Sequence, residues 1–210
     1  FSYYDTQNGF YIYKNDYALP MGFTFDTYVS RSQWETYSES DRCNLLLRAL
    51  VLEDDAVETY QKDMQKLPDA VHQMSDEDLL AECTERAKTA CDSFTYNSKG
   101  FHATISTDHA NLVFFSVPWE EGWSAEVNGE PVSIEKADVG FMAVPVTAGD
   151  SEITFTYHTP GLKAGALLSL GGLVLFAGYL TVAGIWNKRH PSPKAESVCC
   201  MDYSAEETAN

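Results

Sequence analysis

The chain has 210 residues, of which 14 are Lys or Arg and 31 are Asp or Glu, giving a net charge of −17. Phosphate backbones and anionic lipid headgroups repel so acidic a surface, which argues against nucleic acid or anionic headgroups as its partner. Five cysteines are too few for a disulfide-framework fold. The charge is unevenly spread: residues 1–160 carry 10 basic against 27 acidic side chains, and residues 161–210 carry 4 against 4.

Residues 1–29 are aromatic and read as extended. Phe10-Tyr11-Ile12-Tyr13 is a short strand, Asn15-Asp16 a turn, and Pro20 marks an edge or a bend, because proline cannot donate to a central ladder. Over 30–92 the pattern becomes helical. Leu45, Leu46, Ala49, Leu50 and Leu52 form one apolar helical face, and Ala56, Tyr60, Met64 and Leu67 continue at helical spacing until Pro68. Ser75-Asp76-Glu77-Asp78 is a capping box opening an amphipathic helix through Leu79, Leu80, Cys83, Ala87 and Ala90. The acidic clusters 53–55 and 76–78 lack the spacing of a calcium loop and suit helix starts, where the backbone dipole favours carboxylates.

Residues 93–158 switch to period two. Phe94 and Tyr96 alternate with polar residues, then Phe101, Ala103 and Ile105 do so after the Asn97-Ser98-Lys99-Gly100 turn. Leu112–Val117 is a short apolar run bounded by turn signals. Trp123, Ala125 and Val127 lead into Asn128-Gly129, a strong hairpin signal, which Val132 and Ile134 answer. Phe141–Val146 and Ile153-Phe155-Tyr157 complete about seven strands, a number and spacing that suggest an antiparallel sandwich of jelly-roll type.

The segment Gly165–Trp186 has no charged side chain over 22 residues. As a helix it is about 33 Å long, enough for a bilayer core of about 30 Å. Lys188, Arg189 and Lys194 follow it and Lys163 precedes it. The excess of basic residues after the span places 187–210 in the cytoplasm and 1–160 outside. Thr159-Pro160-Gly161 is a short link that should hold the outer domain near the bilayer. Delivery of that domain needs either a leader or earlier membrane helices, and earlier helices are expected here. Gly161, Gly165 and Ser169 lie four apart, with Gly172 near the same stripe, a pattern that lets neighbouring helices approach.

The densest candidate site is Trp119-Glu120-Glu121-Gly122-Trp123. Rings stack on sugar faces and carboxylates accept from hydroxyls, so Trp119, Glu120 and Trp123 are candidate sugar contacts. Equally, the same residues describe a turn with Trp123 facing a core. Adjacent Glu120 and Glu121 point apart on an extended chain, which disfavours a shared catalytic role. His158, next to the expected span, is read as a lone surface histidine rather than a proton-transfer group. No nucleophile elbow, phosphate loop or Cys-x-x-Cys pair is present, so no catalytic set, metal site or cofactor is expected.

Leu112-Val113-Phe114-Phe115-Ser116-Val117-Pro118-Trp119, Gly122-Trp123-Ser124-Ala125-Glu126-Val127-Asn128-Gly129, Gly140-Phe141-Met142-Ala143-Val144, Ala148-Gly149, Ile153–Tyr157 and Thr159-Pro160-Gly161-Leu162 with Gly165 form a combined pattern. It resembles the C-terminal region of the YfhO family of bacterial polytopic membrane proteins, and Ala18-Leu19-Pro20-Met21-Gly22 is similar to the same family. The resemblance implies a parent that is a GT-C-like glycosyltransferase, taking sugars from polyprenyl-phosphate carriers to glycosylate an envelope polymer such as lipoteichoic acid. Its catalytic acids are expected in an earlier loop outside this chain. The implied partners are membrane lipid, other transmembrane helices of the parent and a glycan or polyprenyl-linked sugar. A non-catalytic, membrane-anchored carbohydrate-binding or assembly module is the alternative. The expected fold is α+β: a jelly-roll-like antiparallel sandwich with a helical insertion, then one transmembrane helix over 162–186.

Overall fold

A computed structural model of the chain describes residues 1–68 and 74–190. The expected cytoplasmic segment beyond 190, with Cys199 and Cys200, lies outside the described residues. The chain divides into two compact units, 1–160 and 161–210.

The first unit opens with a hairpin, β1 (Ser2–Gln7) and β2 (Phe10–Lys14), which forms a two-stranded sheet of its own. It turns on Asn8 and Gly9, both at positive φ (52° and 83°), the geometry that Asn-Gly supplies at least cost. Next come the short strands β3 (Phe23–Thr24) and β4 (Thr27–Ser30). The helices α1 (Arg31–Thr36) and α2 (Glu39–Leu45) follow. Ser30 and Ser38 cap them by accepting from the Gln33 and Asp41 amides.

The expected helical face Leu45–Leu52 divides here. Leu45 ends α2, while Leu50-Val51-Leu52 is a strand, β5. Three consecutive buried aliphatics mark a strand covered on both faces, and over so short a run that pattern matches a helical one. Helix α3 (Asp54–Tyr60) and strand β6 (Gln65–Lys66) complete this part. Strands β5 and β6 flank β4 in parallel, with α1–α2 and α3 in the connections. Residues 30–92 are therefore not wholly helical, since they add parallel strands to a sheet.

Helix α4 (Asp76–Lys88) begins with the expected capping box. The Asp78 amide donates to Ser75 Oγ, and the Ser75 amide donates to Asp78 Oδ2 at 2.9 Å. Those bonds hold the Asp78 carboxyl below the ordinary carboxylate range. Near its other end, Arg86 is buried over the Phe25 ring and donates to the Thr24 carbonyl, fastening α4 to β3.

Eight strands follow in the region read as β: β7 (Ser93–Asn97), β8 (Gly100–Thr107), β9 (Asn111–Pro118), β10 (Trp123–Val127), β11 (Glu130–Val132), β12 (Glu135–Ala137), β13 (Phe141–Val146) and β14 (Gly149–Tyr157). The expected strand at 132–134 is divided between β11 and β12. Asn128 and Gly129 make the hairpin turn with φ of 54° and 81°.

One sheet runs β11-β10-β14-β8-β7, all antiparallel. The other runs β3-β9-β13-β12-β5-β4-β6 and is antiparallel until the parallel β5-β4-β6 trio. Phe101, Phe115, Met142, Ile153 and Phe155 fill the space between the sheets. The outer face of the larger sheet packs Phe25, Leu50, Leu52, Leu112 and Phe114 against Ala56 and Tyr60 of α3. Val29 and Val51 point the other way, onto Trp34 and Leu45. The fold is α+β, as the sequence suggests, with a β-sandwich whose second sheet also carries helices.

The second unit contains α5 (Leu162–Arg189), 28 residues long. It is a candidate transmembrane helix, and none of its apolar window is buried within the chain. Gly161 lies outside the helix as its N-cap, at φ 76°. Its carbonyl accepts from the Gly165 amide at 2.8 Å, and Gly165, Ser169 and Gly172 lie within α5.

Candidate functional site

Strand β9 ends at Pro118 and β10 begins at Trp123, so the residues between form the turn at one end of the sandwich. Gly122 lets this turn lie against the last residues of β14. A Cβ there would come within 2.5 Å of the Tyr157 ring and 2.6 Å of the His158 carbonyl. The His158 amide donates to the Gly122 carbonyl at 2.8 Å, which seals the approach.

Trp123 is half-buried and meets Tyr157, Phe101 and Phe155 edge-on at ring separations of 5.0, 5.6 and 6.1 Å. The Tyr157 hydroxyl donates to Glu120 Oε2 at 2.9 Å. That bond lifts the Tyr157 phenol above its ordinary range, since losing the proton would place two negative charges together. Glu120, Trp123 and Tyr157 form one wall of a cleft of about 620 Å³, and Phe94, Tyr96 and Met21 stand among its other lining groups. Glu120 is the carboxylate in that lining.

The structure thus brings two of the three candidate residues to one cleft. Trp119 goes elsewhere: its amide donates to the Gly140 carbonyl at 2.8 Å, and Lys136 Nζ sits 4.0 Å from its ring centroid. Glu121 is exposed and does not line the cleft. Tyr157 and Tyr96 are the cleft residues that sequence spacing did not single out. Each is the last aromatic of an alternating set in its strand, and sheet pairing rather than local spacing brings it to the cleft. His158 is exposed, with its backbone rather than its ring engaged at the turn.

A second cavity, about 510 Å³, lies at the opposite ends of β9 and β10 and is lined by Asn111, Val127, Val146 and Tyr60. Burial and the adjoining Glu135 carboxylate push the Tyr60 phenol up to about 12, and its hydroxyl donates to Glu135 Oε1 at 3.0 Å. Among the described residues no group of three or more His, Cys, Asp or Glu is placed to hold a metal ion. Cys43, Cys83 and Cys91 are free thiols. Burial raises the Cys91 thiol to about 12, which makes it unreactive at neutral pH.

Residues 69–169 match the profile of the family described as bacterial membrane protein YfhO. That stretch runs from the segment before α4 through the sandwich into the start of α5. An uncharacterized protein YfhO of Bacillus subtilis (strain 168) is 30% identical over 121 residues, covering 58% of this chain. The chain spans only 13% of that relative's length. No solved structure matches the chain. Over these residues the chain is similar to the YfhO family of bacterial membrane proteins, and it carries a candidate transmembrane helix of its own.

Proposed function

We propose that this chain is the carbohydrate-contacting, membrane-anchored portion of a polytopic protein that glycosylates cell-envelope polymers, with lipoteichoic acid as a representative acceptor. In this reading the parent transfers sugars from polyprenyl-phosphate carriers, residues 1–160 face the exterior, and the segment after α5 is cytoplasmic. Lipid and other helices of the parent surround α5 along Gly165, Ser169 and Gly172.

The observation that carries the reading is the aromatic wall of Trp123 and Tyr157 with the Glu120 carboxylate held beside it. An aromatic face and an oriented acceptor are what a sugar ring presents its C–H face and hydroxyls to. The same geometry favours binding over bond cleavage within this chain. Glycoside chemistry needs a pair of carboxyl groups about 5–10 Å apart, and Glu120 stands alone in the lining. A non-catalytic carbohydrate-binding or assembly role is the second reading, favoured by that same single carboxylate.

The test uses cells that make the whole protein. Tyr96 is 82% exposed, so Tyr96→Ala spares the core, and Glu120→Ala removes the acceptor. The expected outcome is reduced sugar incorporation into the envelope polymer at unchanged protein level. Incorporation equal to wild type in the double variant contradicts a role for the cleft.

A further inference from the structure

The β1–β2 hairpin is the most anomalous surface of the first unit. Phe1, Tyr4, Phe10 and Tyr11 are 86%, 69%, 75% and 71% exposed, and Tyr3 and Tyr13 are largely exposed as well. A two-stranded sheet alone is marginal in water, and this one joins no core cluster among the described residues. Its pairing sorts the side chains by face. Tyr3 lies opposite Tyr13 and Thr6 opposite Tyr11, so these four share a face. The Tyr3 ring meets Tyr11 and Tyr13 edge-on at 6.5 and 6.2 Å, and the Tyr3 and Thr6 hydroxyls are hydrogen-bonded at 2.8 Å. Phe10 and Ile12 occupy the other face, opposite Gln7 and Asp5.

The carboxylates of the hairpin are hydrogen-bonded within it. Asp5 accepts from the Thr6 amide and Gln7 Nε2, and Asp16 accepts from Ser2 Oγ. Lys14 is the basic side chain of this stretch. By contrast, residues 18–160 carry 9 basic against 25 acidic side chains, a net −16. A second copy approaching the hairpin would bring an equally acidic body with it. A zwitterionic headgroup zone, which has no net charge, imposes no such penalty. It takes rings with one polar end, as interfacial tyrosines show, and its phosphate and ester oxygens accept from phenol and ammonium donors. The chain carries a candidate transmembrane helix, so a bilayer is available to it.

We propose that the β1–β2 hairpin docks into the lipid headgroup zone of a bilayer through its tyrosine face, independently of any sugar in the cleft. The test is made on the full chain in phosphatidylcholine nanodiscs. Tyr11→Trp adds one indole to the docking face, and its emission is read as the difference from wild type. Glu126→Trp, on an exposed position of β10, is the water-facing control. The expected result is blue-shifted difference emission that is more than halved by lipids brominated near the headgroup end of the acyl chain. Lipids brominated near the chain terminus should quench it less, and the control should respond to neither. Tyr13→Trp keeps the test open if Tyr11→Trp fails to fold, because it reports from the same face. Emission as red-shifted and as unquenched as the control overturns the proposal. Blue-shifted emission that no brominated lipid quenches also overturns it, and assigns the face to protein.

Discussion

The sandwich strands β7–β14 and the parallel trio β4–β5–β6 belong to the same unit, yet they are stabilised differently. The sandwich pairs long strands in register over as many as eight residue pairs, and its interior is a set of aromatic rings, with Phe101 stacked on Phe155 at 4.4 Å. The trio has strands of two to four residues and depends on helices for cover on both faces. At the junction between them β12 and β5 share a single register pair, Ala137 and Leu52. Asp138 completes that junction. Its amide donates to the Val51 carbonyl and its Oδ1 accepts from the Val51 amide, both at 2.9 Å. The contrast teaches that the Asp138 side chain and the shared apolar layer of Leu50, Leu52, Leu112 and Phe114, rather than an extended ladder, couple the trio to the sandwich.

The largest expected effect comes from removing a sandwich ring. Phe155→Ala deletes a side chain that is 1% exposed and should cost about 3–5 kcal/mol. Leu52→Ala, on the trio side, should cost about 2–4 kcal/mol for a fully buried leucine. Chemical denaturation followed both by far-UV circular dichroism and by tryptophan emission checks the pair. If the junction couples the halves, each variant gives one coincident transition. A Leu52→Ala protein that loses Trp34 signal before its β signal breaks the coupling.

A smaller, pH-dependent effect sharpens the same point. Burial pushes the Asp138 carboxyl up to about 7, against its hydrogen bond from the Val51 amide, which lowers it. In the folded protein the group therefore holds its proton over a range where the unfolded chain has lost it. Its contribution is fully present below pH ~4 and is lost as pH rises through about 7, by an amount on the order of a few kcal/mol. Asp138→Asn keeps an acceptor for Val51 and tolerates the φ of 46°, so it should flatten this part of the pH–stability curve. An unchanged slope in the variant would remove Asp138 from the junction.

The smallest effect lies outside both regions. Ser75→Ala removes the cap of α4 and should cost about 1 kcal/mol. Hydrogen exchange should localise the loss to the first turn of α4 and leave the sandwich amides unchanged.

How legible these regions are in the sequence follows from their burial. Strands β8, β10 and β14 alternate between core and solvent, so period two shows through Phe101-Ala103-Ile105 and Ile153-Phe155. Strand β5 is buried on both sides and shows no alternation, so its leucines merge with the end of α2. The hairpin at Asn8-Gly9 carries the same dipeptide as Asn128-Gly129, but its flanking residues are aromatic on both faces and hide the pattern. Of the candidate site, Glu120 and Trp123 were legible because five chain residues bring them together. Tyr157 and Tyr96 reach the cleft only through sheet pairing, Tyr157 opposite Trp123 and Tyr96 opposite Phe101. Local spacing does not encode those pairings.

The central claim is that the cleft at Glu120, Trp123 and Tyr157 holds a sugar. Saturation-transfer NMR on the full chain in nanodiscs, with a panel of neutral saccharides, tests it most directly. The account predicts transfer to ring protons of at least one saccharide, lost in Tyr96→Ala and weakened in Glu120→Ala. Transfer to none of the panel, or transfer that both variants leave unchanged, would contradict it.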